Sequence, residues 1–115
     1  MNATTQDFSR YDRAAQEDRC APRAPVNIPA SLRPSGSSRF PVVVNDLSIA
    51  GFACRTVTGM KPGTLCWLTL PGLTSLQSEI VWNSGTQIGC SFANLMNEAV
   101  LDSVLARYRV PGPTA

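Results

Sequence analysis

Two short groups of polar residues have the types and the spacing to hold a small anionic ligand. The first is Arg19-x-x-x-Arg23, in which a proline stands just before the second arginine. The second is Asp46-x-Ser48-x-x-Gly51, which lies between two apolar runs. Arginine carries a permanent charge and several donors, so a few well-placed arginines can bind an anion. Asp and Ser side chains can bond to nearby backbone N–H groups, and Gly can adopt a positive φ.

Each group has a simpler interpretation when it is taken alone. Asp-x-Ser-x-x-Gly is also typical of an ordinary hairpin turn, and two arginines four positions apart can be a solvated pair. The combination is more specific, because one group directly precedes a predicted strand and the other follows the next predicted strand.

The composition offers little for catalysis or metal binding. The sequence of 115 residues has no histidine, which removes the usual general base and the commonest metal ligand. Its four cysteines match neither a C-x-x-C pair nor a zinc ribbon, and we interpret them as reduced, structural thiols (Cys20, Cys54, Cys66 and Cys90). We therefore predict that the protein is not an enzyme, with no catalytic residue, no metal and no cofactor.

The charge pattern disfavours DNA as a partner. The net charge is +2, and all of that surplus lies in residues 1–39. Non-specific DNA affinity grows with the number of phosphates neutralised, so this surplus is too small to support it. The low aromatic content, 7%, also disfavours a barrel that binds nucleic acid.

The sequence gives no sign of a membrane segment. It has no apolar stretch near the length of a transmembrane helix, and its first residues lack the apolar core of a signal peptide. We expect a cytoplasmic protein without membrane insertion.

The hydrophobic pattern predicts six β-strands followed by one helix. Short apolar runs bounded by Gly, Pro and Asn predict the strands 24–32, 39–45, 51–57, 64–70, 75–82 and 87–92. Pro29 cannot donate to a sheet ladder, so it predicts an edge position or a bulge. From residue 94 to Tyr108 the apolar residues follow helical spacing, with Asn97 as the N-cap. This order predicts a small antiparallel barrel or sandwich, with the helix over one end or side.

We expect one domain over residues 19–110. Residues 1–18 are predicted to be a mobile N-terminal tail, and residues 111–115 a short C-terminal tail. Within the domain we favour a core position for Trp67 and Trp82 over a stacking role, because both lie in alternating strands. We also expect the apolar stripe of the helix to face the core.

With both groups in this context, the sequence resembles the PilZ domain, a bacterial receptor module for cyclic di-GMP. The resemblance runs from Arg19 to Tyr108 and includes Val81-Trp82 and Gly89-x-x-Phe92 before the final helix. It implies a six-stranded antiparallel PilZ-like β-barrel with a C-terminal amphipathic helix, an all-β dominated fold.

The resemblance also implies roles in binding cyclic di-GMP. Arg19 and Arg23 are the expected contacts for phosphate and for the O6/N7 edge of guanine, since guanidinium forks onto both and stacks on bases. Asp46 is expected to accept from guanine N1–H and N2–H, and Ser48 to bond to base or phosphate. Gly51 is expected to let the backbone approach the ligand closely.

One departure from the family pattern affects the expected affinity. Family members often carry another arginine before the first group, where this chain has Asp18, whose carboxylate would repel phosphate. Arg10 and Arg13 are candidate auxiliary residues that compensate when the tail folds over the ligand. Gly89 is a further auxiliary candidate, for close strand packing or a bulge.

Two kinds of function are consistent with this resemblance. The first is a single-domain receptor that reports cyclic di-GMP to a protein partner in flagellar, pilus or polysaccharide-export machinery. The alternative is a PilZ-like adaptor that acts by protein contact without binding nucleotide. The sequence favours the receptor, because adaptor-type members typically lack the arginine group.

Overall fold

Six antiparallel strands close into a barrel, and one helix follows them. The computed structural model describes residues 22–110. Neighbouring strands are paired in the order β1-β2-β3-β6-β5-β4, and β4 pairs with β1 to close the barrel. The elements are β1 (Ala24–Pro34), β2 (Phe40–Leu47), β3 (Gly51–Arg55), β4 (Leu65–Thr69), β5 (Leu76–Asn83), β6 (Gln87–Phe92) and α1 (Glu98–Tyr108). The predicted fold is confirmed, and the predicted bounds of β6 match those observed.

The barrel interior is filled by alternate side chains from all six strands. The largest fully buried residues include Phe52 and Phe92, whose ring centroids lie 5.6 Å apart. On β1 the alternation is clear, because Val26, Ile28 and Leu32 point inward while the residues between them are exposed or half-buried. Burial of this apolar surface is the main force that holds the fold together.

Pro29 lies in the part of β1 that is paired with a neighbouring strand on one side only. β1 pairs with β2 over Ala24–Leu32, but with β4 over Ser31–Pro34 alone. The register with β2 also shifts between Pro25 and Ile28. The predicted edge position is met only locally, since the barrel is closed: Pro29 is paired with Val43 of β2 and with no residue of β4.

The helix begins at Glu98, directly after the predicted N-cap. Asn97 is its N-cap, as predicted, and its Oδ1 accepts from the N–H groups of Ala99 and Val100 at 2.8 and 3.3 Å. Val104 is buried on the inward face. Val100 is 36% exposed, so this member of the predicted apolar stripe does not face the core.

The chain after the helix returns to the start of β1. Arg109 forms an isolated antiparallel bridge with Val26, and the Val110 N–H donates to the Pro25 carbonyl at 3.1 Å. The end of α1 is thus tied to the strand that follows the arginine group. In residues 22–110 the structure contains no helix with the length and apolarity needed to cross a membrane.

The cysteines in the described part of the chain are free thiols. Cys54, Cys66 and Cys90 are buried in the barrel, as expected for reduced structural residues, whereas Cys20 lies outside the described residues. Burial, with a smaller contribution from Cys66, raises the pKa of Cys54 to about 12. A hydrogen bond with the Cys66 thiol, and then burial, raises the pKa of Cys90. Thiols with raised pKa values are poor nucleophiles, so these residues serve packing.

Candidate functional site

An ion pair joins the two polar groups on the outside of the barrel. The Nε–H of Arg23 donates to Oδ2 of Asp46 at 2.7 Å. Arg23 directly precedes β1, and Asp46 stands opposite Pro25 near the end of β2, so the β1–β2 pairing brings them together. The side chains are 33% and 31% exposed, which leaves both accessible to a ligand.

A bulge places Asp46 on the outer face of the sheet. Val42 and Val44 point into the core, and strict alternation would turn Asp46 inward after them. The register of β2 against β3 shifts between Val44 and Asp46, so the extra residue Asn45 reverses the alternation. Asp46 therefore points outward and Leu47 points inward, where it is fully buried.

Ser48 holds the turn that follows Asp46. Its N–H donates to the Gly51 carbonyl at 2.9 Å, and its hydroxyl accepts from the N–H groups of Ala50 and Gly51 at 3.1 and 3.2 Å. Ser48 is 0% exposed. In this geometry the hydroxyl shapes the turn, which fixes the end of β2 and with it the position of the Asp46 carboxylate.

Gly51 is required by a close approach between strands. Its φ is not positive, so the left-handed conformation that the sequence suggested is not used here. A Cβ on Gly51 would instead lie 2.2 Å from the carbonyl oxygen of Cys90 on β6. Any larger residue would push β3 and β6 apart.

A second bulge brings Trp82 onto the same outer face. The register of β5 against β6 shifts between Ile80 and Trp82, so Val81 and Trp82 both point outward and are 47% and 43% exposed. The prediction that Trp82 lies in the core is therefore wrong. The bulge opposite Gly89 reverses the side-chain alternation, which the strand sequence alone does not show.

The indole of Trp82 lies directly over Gly89. A Cβ at Gly89 would lie 2.2 Å from Nε1 of Trp82, so the absence of a side chain is what makes room for the ring. Of the two alternatives predicted for this glycine, the bulge is present, whereas the close neighbour is the Trp82 side chain and not a second strand. The sequence does contain a signal for this position, which is the glycine at 89. A glycine opposite a tryptophan leaves room for the indole on the outer face of a sheet.

These residues form one row across four strands. Asp46 on β2 stands opposite Ala53 on β3, Ala53 opposite Gly89 on β6, and Gly89 opposite Trp82 on β5. Ala53 and Gly89 are thus the two small residues between the Asp46 and Trp82 backbones, and the indole itself covers Gly89. The row spans three strand spacings, about 14 Å, and its two middle residues, Ala53 and Gly89, are buried.

Trp67 lies on the outer face and does not belong to this row. It is half-buried on β4, and the Arg33 guanidinium stacks over its ring at 4.4 Å from the centroid. The predicted core position is wrong for this residue too, because the inward positions of β4 are taken by Cys66 and Leu68.

The other predicted contacts lie outside the described residues. Arg19, Arg10 and Arg13 are among these, so their positions remain predictions. Residues 22–110 contain no group of three or more His, Cys, Asp or Glu side chains placed to hold a metal ion.

The strand order and the C-terminal helix define a closed six-stranded antiparallel barrel, with an arginine–carboxylate pair and an exposed indole on its outer face. The family model of the PilZ domain matches residues 17–108. The chain belongs to the PilZ family, a family of binding and adaptor domains that act as cyclic di-GMP receptors. No curated protein matches the chain.

Proposed function

We propose that this protein is a single-domain receptor for cyclic di-GMP. The observation that carries the proposal is the Arg23–Asp46 pair at one end of a row of small residues, with the Trp82 indole at the other end. Cyclic di-GMP carries two phosphates and two guanines, so it needs cationic groups, an acceptor for N1–H and N2–H, and aromatic surface.

Each group on the row has a proposed task. Arg23, with Arg19, contacts phosphate and a guanine edge, because guanidinium donates bidentate hydrogen bonds to both. Asp46 accepts from guanine N–H donors. Trp82 supplies a stacking surface for a base, an interaction worth about 1–3 kcal/mol per base.

The motif residues Ser48 and Gly51 are proposed to support the site by fixing the backbone around it, without contacting the ligand. The Ser48 hydroxyl fixes the turn after Asp46, and Gly51 lets β3 approach β6. They contribute to affinity by fixing the Asp46 carboxylate and the spacing of β3 and β6 beforehand, which lowers the free-energy cost of ordering the site when the ligand binds.

The proposed output is a changed surface for a protein partner. Ligand fixes the arginine segment on the barrel, and the newly ordered surface is recognised by a component of flagellar, pilus or polysaccharide-export machinery in the cytoplasm. No chemical step on the ligand is involved, so the protein binds cyclic di-GMP without turning it over.

The test is isothermal titration of the purified protein with cyclic di-GMP. The double variant Arg19→Ala/Arg23→Ala is compared with Arg107→Ala, which removes an exposed arginine of the helix instead. Saturable binding that is lost in the double variant and kept in the control supports the proposal, and the stoichiometry counts the ligands. Absence of heat at high micromolar ligand with a folded protein refutes it and favours the adaptor.

A further inference from the structure

A groove of about 410 Å³ lies between α1 and the turn that follows β2. Its floor is apolar and consists of Ala24 at the start of β1, Ile49 in the turn, and Leu101 and Leu105 on the helix. Ile49 and the two leucines pack against the barrel core but are only half-buried, so part of each side chain faces the groove. The groove is therefore an accessible apolar surface beside the turn that Ser48 shapes.

The spacing of residues on α1 explains which side chains line the groove. Glu98, Leu101, Asp102 and Leu105 stand at positions i, i+3, i+4 and i+7, which share one face of a helix. All four line the groove. Val104 lies outside this row and is the buried residue of the helix. The helix thus presents a row in which two carboxylates alternate with two leucines.

The two carboxylates on this row are available to a partner. Both side chains are exposed, and within residues 22–110 neither the Glu98 nor the Asp102 carboxylate forms an ion pair or a hydrogen bond. Like charges four positions apart on a helix repel each other, so a cation placed beside both would relieve the repulsion. Arg109, the basic residue that lines the groove, follows the last residue of the helix and lies away from Glu98.

Charge and apolarity together select the kind of molecule that fits the groove. Nucleic acid or an anionic membrane surface would place phosphates against the carboxylates, and a second copy of α1 would place its own carboxylates there, so repulsion disfavours all three. A basic amphipathic helix instead fills the floor with apolar side chains and brings Lys or Arg to the carboxylates. The row from Glu98 to Leu105 is about 10 Å long, which matches two turns of such a helix.

We propose that this groove binds a basic amphipathic helix of the protein partner, and that cyclic di-GMP tightens the contact. The docking itself is independent of the proposed receptor function, whereas the effect of cyclic di-GMP rests on it.

Two contacts connect the groove to the proposed ligand site. Pro22 lines the groove and directly precedes Arg23, which is paired with Asp46. The Ile49 carbonyl accepts from the Met96 N–H at 2.7 Å, which ties the turn after Asp46 to the chain that leads into α1. A ligand held by Arg23 and Asp46 therefore restrains both of these sides of the groove, which lowers the cost of ordering them for the partner.

The first experiment measures docking without cyclic di-GMP. The probe is a fluorescent synthetic helix of about 15 residues, with a leucine stripe flanked by lysines, and its anisotropy is followed as the full chain is added. We expect saturable binding that is lost in two matched peptides, one with glutamate in place of lysine and one with serine in place of leucine. A probe that does not bind, or that binds equally well with glutamate, overturns the proposal.

Variants of the protein assign this binding to the groove. Glu98→Gln/Asp102→Asn should weaken binding of the probe about three- to tenfold, because two exposed ion pairs are lost. The control Ser37→Lys/Ser38→Lys makes the same change in net charge on the exposed β1–β2 hairpin and should bind as the wild type does at physiological salt. Equal weakening in both double variants overturns the assignment. Dimers of the free protein that the probe dissociates would identify a second copy as the occupant and also overturn it.

The second experiment measures the effect of the ligand. With saturating cyclic di-GMP we expect the probe to bind at least about fivefold more tightly, and we expect no such change in Asp46→Ala. Equal affinity for the probe in the presence and absence of bound cyclic di-GMP overturns the coupling. If the wild type does not bind cyclic di-GMP, the proposed receptor function fails, while the first experiment still decides whether the groove binds a basic helix.

Discussion

Arg23 and Asp46 are 23 positions apart in the chain, yet their side chains meet at 2.7 Å across the first two strands. The bulge at Asn45 turns the carboxylate outward, and the start of β1 carries the guanidinium to it. Each group holds the other in a defined orientation before ligand arrives. The pair thus fixes the chain just before β1 and is the contact that we propose for the ligand.

Breaking this pair should affect ligand binding far more than folding. An ion pair that is about one-third exposed contributes about 0–1 kcal/mol to stability. Each group is proposed to form charge-assisted hydrogen bonds to cyclic di-GMP, worth about 1.5–3 kcal/mol. We expect Asp46→Ala and Arg23→Ala each to weaken binding about 10- to 100-fold, measured by titration calorimetry, with the free energy of unfolding lowered by less than about 1 kcal/mol. A large loss of stability with unchanged affinity would show that the pair is structural.

Trp82 should contribute to binding through its exposed face. Trp82→Ala is expected to weaken cyclic di-GMP binding by about 1–3 kcal/mol, the value of a lost stacking contact. Gly89→Ala should act in the same direction, since the added methyl group displaces the indole from its seat. Trp67→Ala is the matched control, because that indole lies on another part of the barrel under Arg33. Equal losses from Trp82→Ala and Trp67→Ala would contradict a specific role for Trp82.

The sequence predicts the number and order of the elements but not the side chains that the bulges reverse. Asn97 caps the helix as predicted, because a cap depends on local hydrogen bonds. Strict alternation after Ile80 predicts that Trp82 points into the core. It points outward because β5 has one extra residue opposite Gly89. The position of that bulge is set by how β5 pairs with β6. Long-range pairing of this kind leaves no periodic signal in either strand alone.

The role of Gly51 also depends on a long-range strand pairing that the sequence alone does not predict. Its motif position suggested a turn conformation or a close ligand, whereas the structure shows a carbonyl from β6 in the place of a Cβ. We therefore expect Gly51→Ala to lower the free energy of unfolding by about 1–3 kcal/mol, as overpacking does, measured by urea denaturation. Gly59→Ala is the control, because that glycine has neither a positive φ nor a neighbouring atom within 4 Å of an added Cβ. Equal stability of the two variants would refute the proposed clash.

The buried thiols should make the fold sensitive to alkaline pH. The pKa of Cys54 is raised from 9.0 to about 12, so between these values the unfolded chain ionises at this residue and the folded protein does not. The stabilisation is complete below pH 9 and decreases as the pH rises toward 12. It amounts to at most about 4 kcal/mol for three pKa units.

The comparison of wild type with Cys54→Ala isolates this contribution. Urea unfolding of both proteins at several pH values between 8 and 11 should show a steeper loss of stability for the wild type. The substitution removes the titrating group, so its curve reports the other residues alone. Parallel curves for the two proteins would contradict the raised pKa.

The contact of Arg109 and Val110 with β1 has a practical consequence for reporters built on this protein. Pro22 and Val110 lie at the same rim, because the Val110 N–H is bonded to the Pro25 carbonyl. A fluorescent donor and acceptor attached at Pro22 and Val110 would start close together, next to the segment that ligand is proposed to fix. The hairpin turn at Gly36, at the opposite end of β1, has open space around it and is the better attachment point for a label that must leave the site undisturbed.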